Sequence, residues 1–246
     1  MPTQKRDPSA ETGLQHFASE VGAALFSTPN GPAELALFAP LHYEPRYAYP
    51  LLVWLHGDDS DERQLVRIMP LVSMRNYVAV APRGARLGTS NASPSHAAWP
   101  QDAAAASDAD AHVVQSIEHA RRKFHVAENR VFIAGFGSGG TMALRLAFSR
   151  PTAFAGVISL CGPMPRGGAP LASLSAARRV PVFLAAGGRS PCHASADVCD
   201  DLRLLHTAGM SVTLREYPCG HELAPQMLAD VDRWIIEQIT SGKQPD

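Results

Sequence analysis

Cysteine is scarce in this chain. Cys161, Cys192, Cys199 and Cys219 are the four, and no two of them form a CxxC pair. At 246 residues the chain is long enough to bury a core without covalent staples, so a disulfide scaffold is not expected. Cys192, His193, Cys199, Cys219 and His221 offer soft donors, but the close cysteine spacing of a structural zinc site is missing. No metal is therefore expected. An excess of charge is missing too, with 22 Lys and Arg against 23 Asp and Glu. A nucleic-acid partner needs a dense positive field and is excluded on this ground. Aromatic residues are only 7% of the chain and are not interleaved with basic ones, which argues against stacking on single-stranded RNA. No apolar run reaches the roughly 18 residues that cross a bilayer. No apolar targeting segment adjoins MPTQKRDPSAETG, so a cytoplasmic protein with no membrane span is expected.

What is present is an ordinary apolar content, 46%, with a thin charged coat of 18%, which excludes global disorder. The apolar residues fall in short runs: 35–41, 51–55, 77–81, 130–134, 155–160, 180–185 and 212–217. Each is too short for a typical helix and most end on glycine or proline, which predicts strands. The first alternates imperfectly and predicts an edge strand. Helices are predicted between them over 62–74, which contains Pro70, and over 102–124, 139–149, 197–208 and 222–239. Strands alternating with helices imply crossover connections and a mostly parallel sheet with helices on both faces. A single α/β domain is expected over residues 15–240, between a flexible N-terminus at 1–14 and a flexible tail at 241–246.

In such a sheet the chemistry sits in loops at the strand C-termini. Four loops stand out: His56-Gly57-Asp58-Asp59, Gly135-Phe136-Gly137-Ser138-Gly139-Gly140, Gly187-Gly188-Arg189-Ser190 and Cys219-Gly220-His221. The second sits in a strand–turn–helix pattern. Gly135, Gly137 and Gly140 match the letters of a dinucleotide fingerprint. An acidic ribose-binding residue is missing about 20 positions on, where the chain reads Phe154 to Ile158, and no P-loop Lys-Ser pair follows. The other use of this architecture is the G-x-S-x-G turn that presents a nucleophilic serine. Gly135 and Gly139 occupy its flanks, and its centre is Gly137. Ser138 falls one position late.

The segments LLVWLHGDDSDERQL, YVAVAPRG, NRVFIAGFGSGGTMALRLAFSRPTAFAGVISLCG, PVFLAAGGRSP and LLHTAGMSVTLREYPCGHEL together resemble the phospholipase/carboxylesterase-like branch of the α/β-hydrolase family. The resemblance covers nearly the whole chain from about residue 35. It implies the α/β-hydrolase fold and hydrolysis of carboxylic esters through an acyl-enzyme, with no cofactor and a serine, aspartate and histidine in that chain order. His221 matches the histidine, Gly137 stands at the serine position and Ser190 at the aspartate position. Glycine forms no acyl-enzyme. Serine at 190 can hydrogen-bond an imidazole but brings no charge to an imidazolium, and loss of that carboxylate costs roughly 10⁴-fold in serine proteases.

The expected function is therefore a catalytically impaired or inactive homologue of a carboxylic-ester hydrolase. The alternative is an active hydrolase with a rearranged site built on His221 and either Ser138 or an activated water. An oxyanion or ligand pocket is expected at Gly57, Asp58 and Ser138, with the Asp58 and Ser138 backbone N–H groups as donors. Asp58, Asp59 and Asp61 are expected to be solvated loop carboxylates capping the next helix. The 161–178 segment is too short for a large helical lid. A small ester, carboxylate or acyl ligand, a homodimer and a protein partner all remain open.

Overall fold

Alternation of side chains along short, β-branched runs explains the sheet at the centre of the molecule. In β3 (Tyr49–Leu55) every residue is buried, but successive side chains enter different layers. Leu51, Val53 and Leu55 join one core cluster, while Leu52 and Trp54 join the other. A strand buried on both sides requires helices on both sides. The computed structural model describes residues 25–27, 34–86 and 97–241. The expected flexible N-terminus at 1–14, the start of the expected domain at 15 and residues 242–246 of the expected tail lie outside the described residues.

The remaining strands are β1 (Leu25–Ser27), β2 (Leu35–Phe38), β4 (Val78–Pro82), β5 (Ala85–Arg86), β6 (Ala97–Ala98), β7 (Val126–Phe136), β8 (Gly156–Leu160), β9 (Val182–Gly187) and β10 (Val212–Tyr217). Eight of them form one sheet in the order β1-β2-β4-β3-β7-β8-β9-β10. The β1–β2 and β2–β4 pairs are antiparallel. Every pair from β4 to β10 is parallel. The expected edge strand at 35–41 is a correction: it is shorter and pairs on both sides. The three-residue β1 covers it, and a run of that length leaves no period in sequence.

The helices are α1 (Gln64–Val72), α2 (Ala103–Lys123), α3 (Ser138–Ser149), α4 (Leu174–Ala177), α5 (Ser195–Thr207) and α6 (Pro225–Thr240). Leu65, Ile68 and Met69 of α1 pack with Met227, Val231, Trp234 and Ile235 of α6 in one layer. Val113 and Ile117 of α2, Leu144 and Phe148 of α3 and Leu205 of α5 fill the other. Pro70 stands near the end of α1, where the carbonyl it leaves unpaired costs little. Between Cys161 and Arg178 the one helix is the four-residue α4. No helix among the described residues is long and apolar enough to cross a membrane.

Candidate active site

The parallel strands β3, β7, β9 and β10 deliver all four conspicuous loops to one edge of the sheet. β7 passes through the glycine-rich turn directly into α3. Gly137 caps that helix with φ 55° and ψ −123°, a region open to glycine but strained for any residue with a Cβ. The turn is held by Gly137 N–H donating to Leu160 O at 2.9 Å and Thr141 N–H donating to Gly137 O at 3.1 Å. Close packing explains Gly139, because a Cβ there would stand 2.3 Å from Leu55 O and 2.4 Å from His56 O. The start of α3 thus lies directly against the end of β3.

His221 faces the apex of this turn. A Cβ built on Gly137 would lie 3.4 Å from His221 Nε2 and 3.5 Å from Asp58 Oδ2, at ordinary contact distance. On the other side of the ring, His221 Nδ1 is 3.2 Å from Ser190 Oγ. The Phe136 ring lies 5.0 Å from the imidazole centroid. Burial pushes the His221 pKa below its ordinary 6.5; Asp58 acts against this and His193 adds to it. The ring is a neutral base at neutral pH. The structure thus brings Gly137, His221 and Ser190 together as their places in the chain predict.

Ser138 sits differently. Its Oγ accepts from the Trp99 N–H at 3.4 Å, and no hydrogen bond joins it to His221 among the described residues. The capping expectation is corrected: Asp61 Oδ1 accepts from Arg63 N–H at 2.9 Å in the turn before α1, but no side chain caps that helix. Asp58 takes a different course from Asp61. Although exposed, it turns Oδ2 toward the Gly137 apex instead of capping α1.

The loop bearing Gly57 and Asp58 is pinned by His56 and by residues that the sequence did not single out. Gln64 Oε1 accepts from both Trp54 Nε1 at 2.8 Å and Gly57 N–H at 3.2 Å. Trp99 Nε1 donates to His56 O at 3.0 Å. The His56 ring is fully buried, with Gly84 N–H donating to Nε2 at 2.9 Å and Nδ1 2.8 Å from Gly57 O. An amide can only donate, so Nε2 carries the lone pair and Nδ1 carries the proton. A neutral His56 is therefore built into the loop. Gln101 and Arg145 continue the scaffold. Gln101 Nε2 donates to Trp99 O and Ser138 O, and buried Arg145 donates to Gln101 Oε1, Arg166 O and Gly167 O. His56 belongs to the loop that stood out in the sequence, but Trp99 and Gln101 carry no spacing signal at all.

His56 makes a pH prediction. Burial is the largest cause that lowers its pKa from 6.5. The unfolded chain takes up this proton more readily, so the stability it contributes is present above pH 6.5 and lost as pH falls toward the folded value. Urea midpoints are expected to drop below pH 6.5. In His56→Ala that part of the slope should vanish, while stability at alkaline pH falls by about 3 kcal/mol from two orphaned backbone groups and a cavity.

The cysteines do not build a second site. All four are free thiols. Burial pushes the Cys161 thiol up to about 11 and raises Cys219 as well, which opposes a thiolate nucleophile beside His221. His193 Nε2 is 3.1 Å from Asp201 Oδ2, and no group of three potential metal ligands converges among the described residues.

A mostly parallel sheet covered on both faces, with these loops gathered at the strand C-termini, defines an α/β-hydrolase fold. Residues 50–239 match the Phospholipase/Carboxylesterase family, and the chain belongs to that family. A protein of Nocardia uniformis subsp. tsuyamanensis named as an esterase, NocK, is 33% identical over 145 residues, covering 58% of this chain and 40% of NocK. The match thus spans about two fifths of that relative. Among solved structures, the Bacillus cereus carboxylesterase superposes with a TM-score of 0.65 at 20% identity, covering 91% of this chain and 98% of that one. A carboxylesterase from Mesorhizobium loti gives 0.67 at 19% identity, covering 87% and 99%. At such identities these two structures speak for the fold.

Proposed function

We propose that this chain is a carboxylic-ester hydrolase homologue that does not run the acyl-enzyme reaction and binds a small ester or acyl ligand at the Gly137 turn. One observation supports this reading: the backbone at 137 stands at φ 55° and ψ −123°, and a Cβ there would lie 3.4 Å from His221 Nε2, yet the residue is glycine. Without a hydroxyl at that point there is nothing for the imidazole to deprotonate and nothing for the ester to acylate. Ser190 at Nδ1 orients the ring but supplies no charge to an imidazolium. The backbone N–H groups of Asp58 and Ser138 serve as oxyanion donors, the second aided by the N-terminus of α3. Such a pocket still polarises an acyl carbonyl after its nucleophile is gone, and in subtilisin what remains amounts to roughly 10³–10⁴-fold over water.

The experiment is active-site labelling with a fluorophosphonate, read by intact mass. The expected result is no adduct on the wild-type chain and no stoichiometric burst of p-nitrophenol from p-nitrophenyl acetate. A one-to-one adduct that disappears in Ser138→Ala would overturn the reading and make Ser138 the nucleophile.

A further inference from the structure

We infer that Asp58 supplies from the nucleophile side the carboxylate that Ser190 lacks, and that Asp58 and His221 together hold a water for one-step hydrolysis of a neutral ester. This rests on the reading of the site as one without an acyl-enzyme. Two polar atoms converge on the point where a side chain at 137 would begin, His221 Nε2 at 3.4 Å and Asp58 Oδ2 at 3.5 Å. One is a neutral imidazole nitrogen and the other an anionic oxygen. A water from solvent stands farther out than that point, at contact distance from the Gly137 Cα; there it donates one hydrogen to Nε2 and one to Oδ2, and both of its lone pairs stay free for a carbonyl carbon. The backbone leading into Asp58 is fixed, because Gly57 N–H is bound to Gln64 and His56 is locked by Gly84 and Trp99.

The reaction balances without a covalent intermediate. The water oxygen forms a bond to the ester carbonyl carbon while its proton passes to His221 Nε2. Ser190 Oγ accepts the Nδ1 proton of the resulting imidazolium, and the Asp58 carboxylate offsets its charge. The carbonyl electrons move onto oxygen, facing the Asp58 and Ser138 N–H groups. Collapse re-forms the carbonyl and breaks the bond to the leaving oxygen, which takes the proton back from Nε2. Ester and water become acid and alcohol. The charge on Asp58 also selects the substrate: a neutral acyl group approaches freely, an anionic one is repelled, and the carboxylate product is driven out.

The test compares wild type, Asp58→Asn, Asp58→Glu and His221→Ala on p-nitrophenyl acetate and on the negatively charged p-nitrophenyl hemisuccinate. Wild type is expected to turn over the acetate without a burst, and more slowly the hemisuccinate. Asp58→Asn should lose about 10- to 100-fold on the acetate, narrow the preference between the two esters and move the acid limb of the rate profile to lower pH. The charged or titratable groups acting on His221 are Asp58 and His193, and only the first is changed in that variant. Asp58→Glu should recover part of the rate. Circular dichroism checks that each variant is folded. A wild-type rate no greater than that of His221→Ala overturns the inference and leaves the acyl-enzyme-deficient reading intact. An unchanged rate and limb in Asp58→Asn also overturns it. A burst of p-nitrophenol or a fluorophosphonate adduct on the wild-type chain overturns both.

Discussion

The double variant Gly137→Ser with Ser190→Asp is expected to hydrolyse p-nitrophenyl acetate about 10²–10⁴-fold faster than wild type and to acquire a fluorophosphonate adduct. The backbone is already shaped for it. A Cβ on residue 137 meets His221 Nε2 and Asp58 Oδ2 at no less than 3.4 Å, so a serine fits, and its hydroxyl lies one bond nearer to the imidazole. At 190 the side chain is buried and already within 3.2 Å of Nδ1, so a carboxylate there would sit against the developing imidazolium. Gly137→Ser alone should gain much less, because it leaves the imidazolium without that partner. The substitution also carries a stability cost. At φ 55° and ψ −123° a residue with a Cβ is strained by about 1–3 kcal/mol, and the single variant should unfold at correspondingly lower urea. A folded double variant with neither adduct nor hydrolysis would mean that the surrounding pocket has lost its fit to esters.

Gly139→Ala is expected to be severely damaging for a single added methyl group. Its Cβ would lie 2.3 Å from Leu55 O, 2.4 Å from His56 O and 2.8 Å from Leu55 C. These are backbone atoms at the end of β3, a strand paired on both sides and buried throughout, so neither partner can move aside cheaply. Overpacking against flexible side chains costs about 1–3 kcal/mol. Against this backbone a loss of about 4 kcal/mol or more is expected, seen as a fall of roughly 10 °C in Tm. Gly220→Ala provides the comparison, since nothing lies within 4 Å of a Cβ at that position, and its stability should change by no more than about 0.5 kcal/mol. Equal stabilities for the two variants would contradict the close contact of α3 with β3.

The longer elements were legible because buried parallel strands leave uninterrupted apolar runs. Five of the expected helices appear as α1, α2, α3, α5 and α6, and the seven apolar runs all contain strands. Shorter elements were not legible. β1, β5, β6 and α4 have two to four residues each, fewer than a period of either structure needs to show itself. That is also why 35–41 suggested an edge: its outer neighbour left no trace.

Within the site the same division holds, but distance along the chain is the cause. The glycine-rich turn was legible because its constraint is local: a strained φ and a close approach demand glycine at fixed offsets. His221 and Ser190 were legible from the segments around them. Asp58 was not, because a carboxylate beside two others in a polar loop looks solvated in any sequence. The loop that carries it is fixed by Gln64, by His56 bound to Gly84, and by Trp99, which is 43 residues from the carbonyl it holds.

The sequence by itself determined the fold class, the layering of the core and the absence of a hydroxyl at position 137, since each follows from residue types in fixed local order. Only the tertiary structure decided that a strained, serine-sized position faces a neutral imidazole, and that Asp58 points at the same spot from across the site. Those are relations between strand ends that meet only after β3, β7, β9 and β10 have paired, so no spacing along the chain records them.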